Sequence, residues 1–233
     1  MDVVISGDRR LEAVYEEGAA DRRTRGGVVV AHPHPLQGGT MTQPLVYRVA
    51  QACCEEGLAS LRFNFRGVGK SDGVHSGCDE YRDVTAALAD LRARLGETVS
   101  PAQSGEASSA GLNDDVASRL GLIGYSFGAI MSAHAAAGPV AARALTLIGL
   151  PAYWEEQAPA AVEGLRTFSG PILAVCGELD DIAPPEMVAE GLARLSVDYR
   201  LEVIPGVGHL FEGRGKEVGL LVAKFMAQEL AAS

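Results

Sequence analysis

Apolar residues along the chain gather in short runs that alternate with segments of helical periodicity. The run Gly27–Ala31 is apolar at consecutive positions, which predicts a strand buried on both faces of a parallel sheet. The same kind of run predicts strands at residues 59–65, 121–124, 144–150, 171–176 and 199–204. Apolar residues at helical spacing, with Gly and Pro near the boundaries, predict helices at residues 43–56, 79–94, 129–137, 158–167, 185–195 and 215–231.

Two further strands are predicted before this alternation, at residues 3–6 and 11–15. Polar residues crowd both of them, which favours an antiparallel edge to the main sheet. The whole pattern predicts an α/β fold with a mostly parallel central sheet of about eight strands and with helices on both faces. In such sheets the ligand binds beyond the carboxyl ends of the strands, so we expect the functional residues there.

The length of 233 residues is that of one large α/β domain. Residues 98–118 are rich in Ser, Ala, Gly and Asn, and we predict a mobile surface insertion there rather than a domain boundary. Only about twenty residues separate the strands predicted at 144–150 and 171–176, which leaves no room for a lid domain.

The net charge of -10 argues against a nucleic-acid partner and against binding to an anionic membrane. No apolar run approaches the ~18 residues that a membrane span requires. The first ten residues lack the basic start and apolar core of a signal peptide. Four cysteines without C-x-x-C spacing fit reduced thiols, so we expect a soluble protein of the cytoplasm.

Gly124, Ser126 and Gly128 form a G-x-S-x-G motif between a predicted strand and a predicted helix. At such a joint the chain turns so sharply that the serine backbone is strained, and the residues two positions away must lack bulk. The turn lifts the hydroxyl above the sheet and aims the positive end of the next helix at it. Ser126 is therefore the candidate nucleophile, and a plain glycine-rich turn is the alternative.

A serine hydroxyl needs a base to remove its proton, and that base needs an acid to orient it. In this arrangement the chain order is serine, acid, histidine, and the histidines after Ser126 are His134 and His209. His134 lies two turns down the following helix, more than ~10 Å away at the helical rise per residue. His209 follows the last predicted strand directly, so we predict it as the base, with a surface loop histidine as the alternative.

The acid is expected after the strand at 171–176, where Glu178, Asp180 and Asp181 lie. We choose Asp180, three positions past the turn residue Gly177. Asp181 is its competitor, because a small change in turn type exchanges adjacent loop residues. Glu178 is the weakest candidate, since it lies nearest the end of the strand. The two carboxylates that are not used would be solvated surface charges.

An oxyanion hole needs two backbone N–H donors. One is the N–H of Phe127, at the start of the helix that follows Ser126. The other is expected from the loop after the strand Gly27–Ala31, where the prolines have no N–H to give. His34 and Leu36 remain as donors in that loop, and we choose His34.

His32 and His34 also form an H-x-H pair, which raises the alternative of a metal site. Zinc would need a third protein ligand, and the sequence has no H-x-H-x-D-H or H-E-x-x-H run. We therefore predict neither a metal nor another cofactor.

Loops at the same edge of the sheet supply candidate walls of a substrate pocket. For each of these side chains, packing in the core or at the surface is an equal alternative. The candidates are Leu36, Tyr153, Trp154, Leu210 and Phe211. Arg66 is expected to fix a loop rather than to clamp a substrate.

Five segments carry a family resemblance: HPHPLQGGTM at 32–41, FNFRGVGKS at 63–71, GYSFG at 124–128, GELDDIAP at 177–184 and GVGH at 206–209. On them, the chain resembles the α/β-hydrolase superfamily over nearly its full length, and it is most similar to small, lid-less, esterase-like members related to dienelactone hydrolases. The resemblance implies a serine hydrolase with Ser126, Asp180 and His209 as its catalytic triad. Dienelactone hydrolases proper use a cysteine nucleophile, so we do not expect their substrate here.

The activity expected is two-step acyl transfer on small to medium carboxylic esters, with a small-molecule acyl substrate as the partner. A thioesterase, peptidase or other acyl transferase with the same triad is the first alternative. A non-catalytic, ligand-binding member of the fold is the second. The intact serine, acid and histidine count against the second, since a binding module needs no such trio.

Overall fold

The computed structural model describes residues 1–19, 26–98, 119–136 and 138–231. In these ranges the chain forms eight strands: β1 Asp2–Ser6, β2 Arg10–Glu16, β3 Gly27–Ala31, β4 Ala59–Phe63, β5 Leu120–Tyr125, β6 Ala144–Ile148, β7 Ile172–Gly177 and β8 Tyr199–Ile204. The same ranges contain seven α-helices: α1 Pro44–Glu55, α2 Tyr81–Thr98, α3 Phe127–Ala135, α4 Trp154–Gln157, α5 Pro159–Thr167, α6 Pro185–Arg194 and α7 Gly215–Glu229. A 3-10 turn, Pro35–Gln37, follows β3.

All eight strands belong to one sheet, in the order β1-β2-β4-β3-β5-β6-β7-β8. β2 pairs antiparallel with both β1 and β4, and every other pair in the sheet is parallel. The predicted mostly parallel sheet and its antiparallel N-terminal edge are therefore confirmed.

The five inner parallel strands, β3 to β7, are buried at every position. Helices α1 and α7 cover one face of the sheet, with Leu45 and Met226 among the side chains in that half of the core. Helices α2, α3, α5 and α6 cover the other face, with Leu88 and Leu192 in the second half. Burial on both faces is the reason why these strands are apolar without alternation.

The structure adds the short helix α4, which was not predicted. Ala158 separates α4 from α5 and adopts φ -134° and ψ 62°. It precedes Pro159, whose ring disfavours the helical conformation in the residue before it, so one helix becomes two. Between β6 and β7 the described chain holds only these two helices, in agreement with the predicted absence of a lid.

Helix α2 runs past its predicted end at residue 94 and ends at Thr98. The rest of the insertion predicted at residues 98–118 lies outside the described residues. None of the helices in the described ranges has the length and apolar character to cross a membrane.

A buried ion pair joins the loop after β4 to helix α2. The guanidinium of Arg66 donates to both carboxylate oxygens of Asp83, with a shortest distance of 2.7 Å, and the Arg66 backbone N–H donates to Asp83 Oδ2 at 2.9 Å. The Arg66 side chain is 3% exposed and that of Asp83 is fully buried. The prediction that Arg66 fixes a loop is confirmed.

Replacing Arg66 by alanine should strongly destabilise the fold. It would leave the Asp83 carboxylate buried without its counter-charge, so we expect the free energy of unfolding to fall by about 3–5 kcal/mol. Urea denaturation followed by circular dichroism measures this change. Arg82→Ala is the matched control, because Arg82 lies 3.8 Å from Asp79 on the exposed side of the same helix. A similar loss in both variants would contradict the assigned role of the buried pair.

Candidate active site

Ser126 lies in a sharp turn between β5 and α3. Its backbone has φ 56° and ψ -117°, in the region of positive φ that residues with a side chain rarely adopt. Two hydrogen bonds hold this conformation, because the Ser126 N–H donates to the Ile148 carbonyl at 2.8 Å and the Ser126 carbonyl accepts from the Ala129 N–H at 2.8 Å. The turn therefore has the strained geometry expected of a nucleophile at a strand-to-helix joint.

The glycines on either side of Ser126 are required by close packing. A Cβ at Gly124 would lie 2.2 Å from the carbonyl oxygen of Gly128. A Cβ at Gly128 would lie 2.4 Å from the carbonyl oxygen of Ala31, at the end of β3. Any larger residue at either position would force the strands and α3 apart, which is the role predicted for both glycines.

The side chains of Ser126, His209 and Asp180 form one hydrogen-bonded chain. His209 Nε2 lies 2.9 Å from Ser126 Oγ, and His209 Nδ1 lies 2.9 Å from Asp180 Oδ2. An ionised carboxylate only accepts hydrogen bonds, so the proton is on Nδ1, and Nε2 is left to accept the proton of the serine hydroxyl. The structure thus brings together the three residues predicted as nucleophile, base and acid.

Asp180 is the carboxylate that contacts His209, and the two alternatives point elsewhere. Burial tends to raise the pKa of Asp180, but hydrogen bonds from His209 and from the N–H groups of Ala183 and Ile182 outweigh it and lower the pKa. The carboxylate is therefore ionised at neutral pH. Asp181 is exposed to solvent, and Glu178 is exposed and accepts the N–H of Gly206 at 2.8 Å.

Two further residues set the position of His209. The hydroxyl of Tyr125, the residue before Ser126, donates to the His209 carbonyl at 2.8 Å. Gly149, just after β6, lies against the imidazole, since a Cβ there would be 3.0 Å from His209 Cε1. Sequence reasoning missed Gly149, because it lies within the apolar run that predicted a strand at residues 144–150.

Phe127 and His34, whose N–H groups were predicted to form an oxyanion hole, lie next to each other. Their ring centroids are 5.0 Å apart, so the first residue of α3 contacts the loop after β3. Leu36, the alternative donor, uses its N–H in a 3.2 Å hydrogen bond to His34 Nδ1. Within the described ranges no hydrogen bond engages the N–H of Phe127 or of His34.

The His34 ring is kept neutral by its surroundings. Burial, and then the neighbouring His75, lower its pKa. A neutral His34 can accept the Leu36 N–H at Nδ1, which caps the 3-10 turn Pro35–Gln37. The loop after β3 is therefore shaped by one of its own side chains.

His32 has a structural role. It is fully buried, its Nε2 accepts the Phe65 N–H at 3.1 Å, and its Nδ1 lies 2.7 Å from the Pro33 carbonyl. Burial lowers its pKa to about 4, so the ring is neutral and Nδ1 donates. Because both ring nitrogens are engaged by the backbone, His32 is unable to act as a ligand in an H-x-H metal pair.

A second imidazole–carboxylate pair, not predicted from the sequence, lies beside the same loops. His75 Nδ1 is 2.9 Å from Oε1 of Glu80, whose side chain is fully buried. His75 also contacts the rings of His34 and Phe127, at centroid distances of 5.0 and 5.5 Å. The course of the loop after β4 brings His75 to this position, and no motif in the neighbouring sequence predicted the contact.

Two of the five predicted pocket walls are wrong. Trp154 is 1% exposed and packs in the core against Gly191 of α6, and Phe211 is 2% exposed and packs edge to face on Tyr125. Their size and apolarity place them in the core, which was the stated alternative. The other three candidates are exposed to solvent: Leu36, Tyr153 and Leu210.

Solved structures of similar fold cover almost the whole chain. An α/β serine hydrolase homologue from Coxiella burnetii is 30% identical with a TM-score of 0.78, and the match covers 97% of this chain and 96% of that one. An α/β serine hydrolase without a lid, from Xanthomonas campestris, is 26% identical with a TM-score of 0.78, and the match covers 100% of this chain and 96% of that one. These likenesses confirm the lid-less α/β-hydrolase fold.

Sequence comparison identifies the family. An uncharacterised protein of Rickettsia prowazekii is 26% identical over 214 residues, which cover 85% of this chain and 77% of that protein. The dienelactone hydrolase family matches residues 70–232, a range that includes the turn at Ser126 and the loops of Asp180 and His209. The chain therefore belongs to the dienelactone hydrolase family and is a hydrolase of the α/β-hydrolase fold.

Proposed function

We propose that this protein is a serine hydrolase that acts through an acyl-enzyme, and that its substrates are small to medium carboxylic esters. The observation that carries the proposal is the hydrogen-bonded chain from Asp180 through His209 to Ser126, at a turn with positive φ. A hydroxyl, a neutral imidazole and an ionised carboxylate in this order are the parts that activate a serine.

In the first step, Ser126 Oγ attacks the ester carbonyl while His209 Nε2 takes the hydroxyl proton. Asp180 holds the His209 tautomer and stabilises the imidazolium that forms. The carbonyl oxygen becomes an oxyanion, which accepts hydrogen bonds from the N–H groups of Phe127 and His34. Collapse of this intermediate breaks the bond to the alcohol, and His209 returns its proton to the leaving oxygen.

In the second step, a water molecule gives its proton to His209 and attacks the acyl-enzyme. The same two N–H groups stabilise the second oxyanion, and release of the acid restores the Ser126 hydroxyl. Each cycle thus consumes one ester and one water and yields one alcohol and one acid. No metal or other cofactor takes part in the proposed steps.

An open site supports small-molecule substrates. Leu36, Tyr153 and Leu210 are exposed apolar side chains on the described loops, and we propose that the acyl group packs on them. We also propose that the protein works in the cytoplasm, where reducing conditions preserve thiols. All four of its cysteines are free.

Ser126→Ala should abolish ester hydrolysis without changing the fold. Loss of the nucleophile is expected to lower kcat by about 10⁴-fold or more. Purified protein is assayed on matched ester, thioester and amide substrates, and the fluorophosphonate labelling of both proteins is compared. Activity of the variant within tenfold of the wild type on its best substrate would contradict the serine mechanism. A better rate on thioesters or amides than on esters would replace the proposed substrate class.

Asp180→Asn should strongly lower turnover, and Asp181→Asn should leave it nearly unchanged. An amide at position 180 donates where the carboxylate accepts and favours the wrong tautomer of His209, so turnover should fall by about 10⁴-fold. Asp181 is the matched control, because it is adjacent in the chain but exposed to solvent. Steady-state rates of both variants near the pH optimum show which of the two carboxylates orients His209. The reverse order of effects would rule out Asp180 as the acid.

Gly149→Ala should lower activity by displacing the His209 ring. The new Cβ would lie 3.0 Å from Cε1, and Gly149 also has a φ of 54°, which alanine adopts with strain. Gly213→Ala is the control for strain alone, because Gly213 has a φ of 75° with open space around its Cβ. We expect similar unfolding midpoints for the two variants, but a loss of kcat of about 10²-fold only for Gly149→Ala. Equal kcat values would show that Gly149 does not position the base.

A further inference from the structure

Three aromatic rings, two from different loops and one from the start of α3, meet beside Ser126. The ring of His34 lies 5.0 Å from that of Phe127 and 5.0 Å from that of His75, and the rings of His75 and Phe127 are 5.5 Å apart. His75 packs edge to face on both other rings, with interplanar angles of 67°, and the rings of His34 and Phe127 are tilted at 54° to each other. Two of the three residues, Phe127 and His34, are those whose N–H groups are proposed to bind the oxyanion.

The third ring, that of His75, lies beside a buried carboxylate. His75 Nδ1 lies 2.9 Å from Glu80 Oε1, and Glu80 comes directly before the first residue of α2. Glu80 also accepts the N–H and the hydroxyl of Ser76, at 2.6 and 3.0 Å, and the N–H of Gly77 at 3.3 Å. Burial tends to raise the pKa of Glu80, but these hydrogen bonds outweigh it and lower the pKa. The His75 ring thus lies against a buried carboxylate that is itself fixed to its loop.

We propose that His75 is a positioning residue, whose ring fixes the separation of the Phe127 and His34 N–H groups in the oxyanion hole. This inference rests on the proposed function. The two donors belong to different elements, α3 and the loop after β3, and each carries a ring that contacts His75. The side chain of His75 is 13% exposed, and its ring packs against both the loop after β3 and the start of α3.

The physical reason is that oxyanion stabilisation depends steeply on geometry. Loss of one donor costs about 10²–10³-fold in kcat, and a displacement of about 1 Å costs about 10²-fold. Binding of the substrate carbonyl depends less on the positions of the two N–H groups than binding of the oxyanion does, because the negative charge develops only in the transition state. A change at His75 should therefore lower kcat and leave KM almost unchanged.

Three variants separate the effect of the His75 ring from the effect of its polar contact with Glu80. His75→Ala removes both the ring and the polar contact, His75→Gln keeps a polar side chain near Glu80 without a ring, and His75→Phe keeps a ring without the ring nitrogens. We expect kcat to fall by about 10- to 100-fold in His75→Ala and His75→Gln, with KM within about threefold of the wild type, and by less than tenfold in His75→Phe. His134→Ala, which removes a half-buried histidine stacked on Tyr81 away from the site, should keep the wild-type kcat.

A second measurement distinguishes positioning from mere folding. An alkylboronic acid forms a tetrahedral adduct with an activated serine and places an oxygen in the oxyanion hole, so its affinity should fall by about the same factor as kcat. Unfolding midpoints confirm that each variant is folded. Wild-type kcat in folded His75→Gln, equal losses in His75→Phe and His75→Ala, or a rise in KM at constant kcat would each overturn the proposal. Fluorophosphonate labelling of Ser126 in the wild type keeps this outcome separate from a failure of the proposed function.

Discussion

The positive φ of Ser126 is the constraint on which the site depends. A side chain in this region costs on the order of 1–3 kcal/mol, and it persists only where the surroundings leave no alternative. Here the surroundings are Gly124 and Gly128, which let β5, α3 and the end of β3 approach to backbone contact. That contact brings the start of α3 beside the loop of His34. Ser126, the proposed nucleophile, and both proposed oxyanion donors are thus placed by one close approach of backbones.

Signals that are local in the chain were sufficient to predict the sheet and the three central side chains. The strand Gly27–Ala31 is apolar without alternation because it is buried on both faces, and that property is visible in five residues. Ser126 is flanked by the two glycines that its turn requires. Asp180 and His209 each follow a buried strand, and parallel strands bring their following loops to one edge of the sheet.

Other features depend on contacts between distant segments, and the sequence carries little trace of them. Trp154 and Phe211 are large apolar residues that suit either a pocket wall or the core. Their packing against α6 and Tyr125 shows that they belong to the core. Gly149 matters because the His209 ring happens to lie over it. His75 matters because the loop after β3 and the start of α3 bring rings to it. In each case the residue type is compatible with several environments, so no pattern in one segment could decide.

The order of the strands has a consequence for how the enzyme responds to heat. Ser126, the proposed nucleophile, follows β5 in the middle of the sheet, whereas His209, the proposed base, follows β8, which has a neighbour on one side only. Edge strands open more readily than central ones, because fewer hydrogen bonds and contacts hold them. The Tyr125 hydroxyl and the Ser126 side chain link the loop of His209 to the end of this central strand. Fraying of β8 would separate His209 from Ser126 while the turn at Ser126 stays intact, so the proposed activity should be lost at temperatures where most of the sheet is still folded.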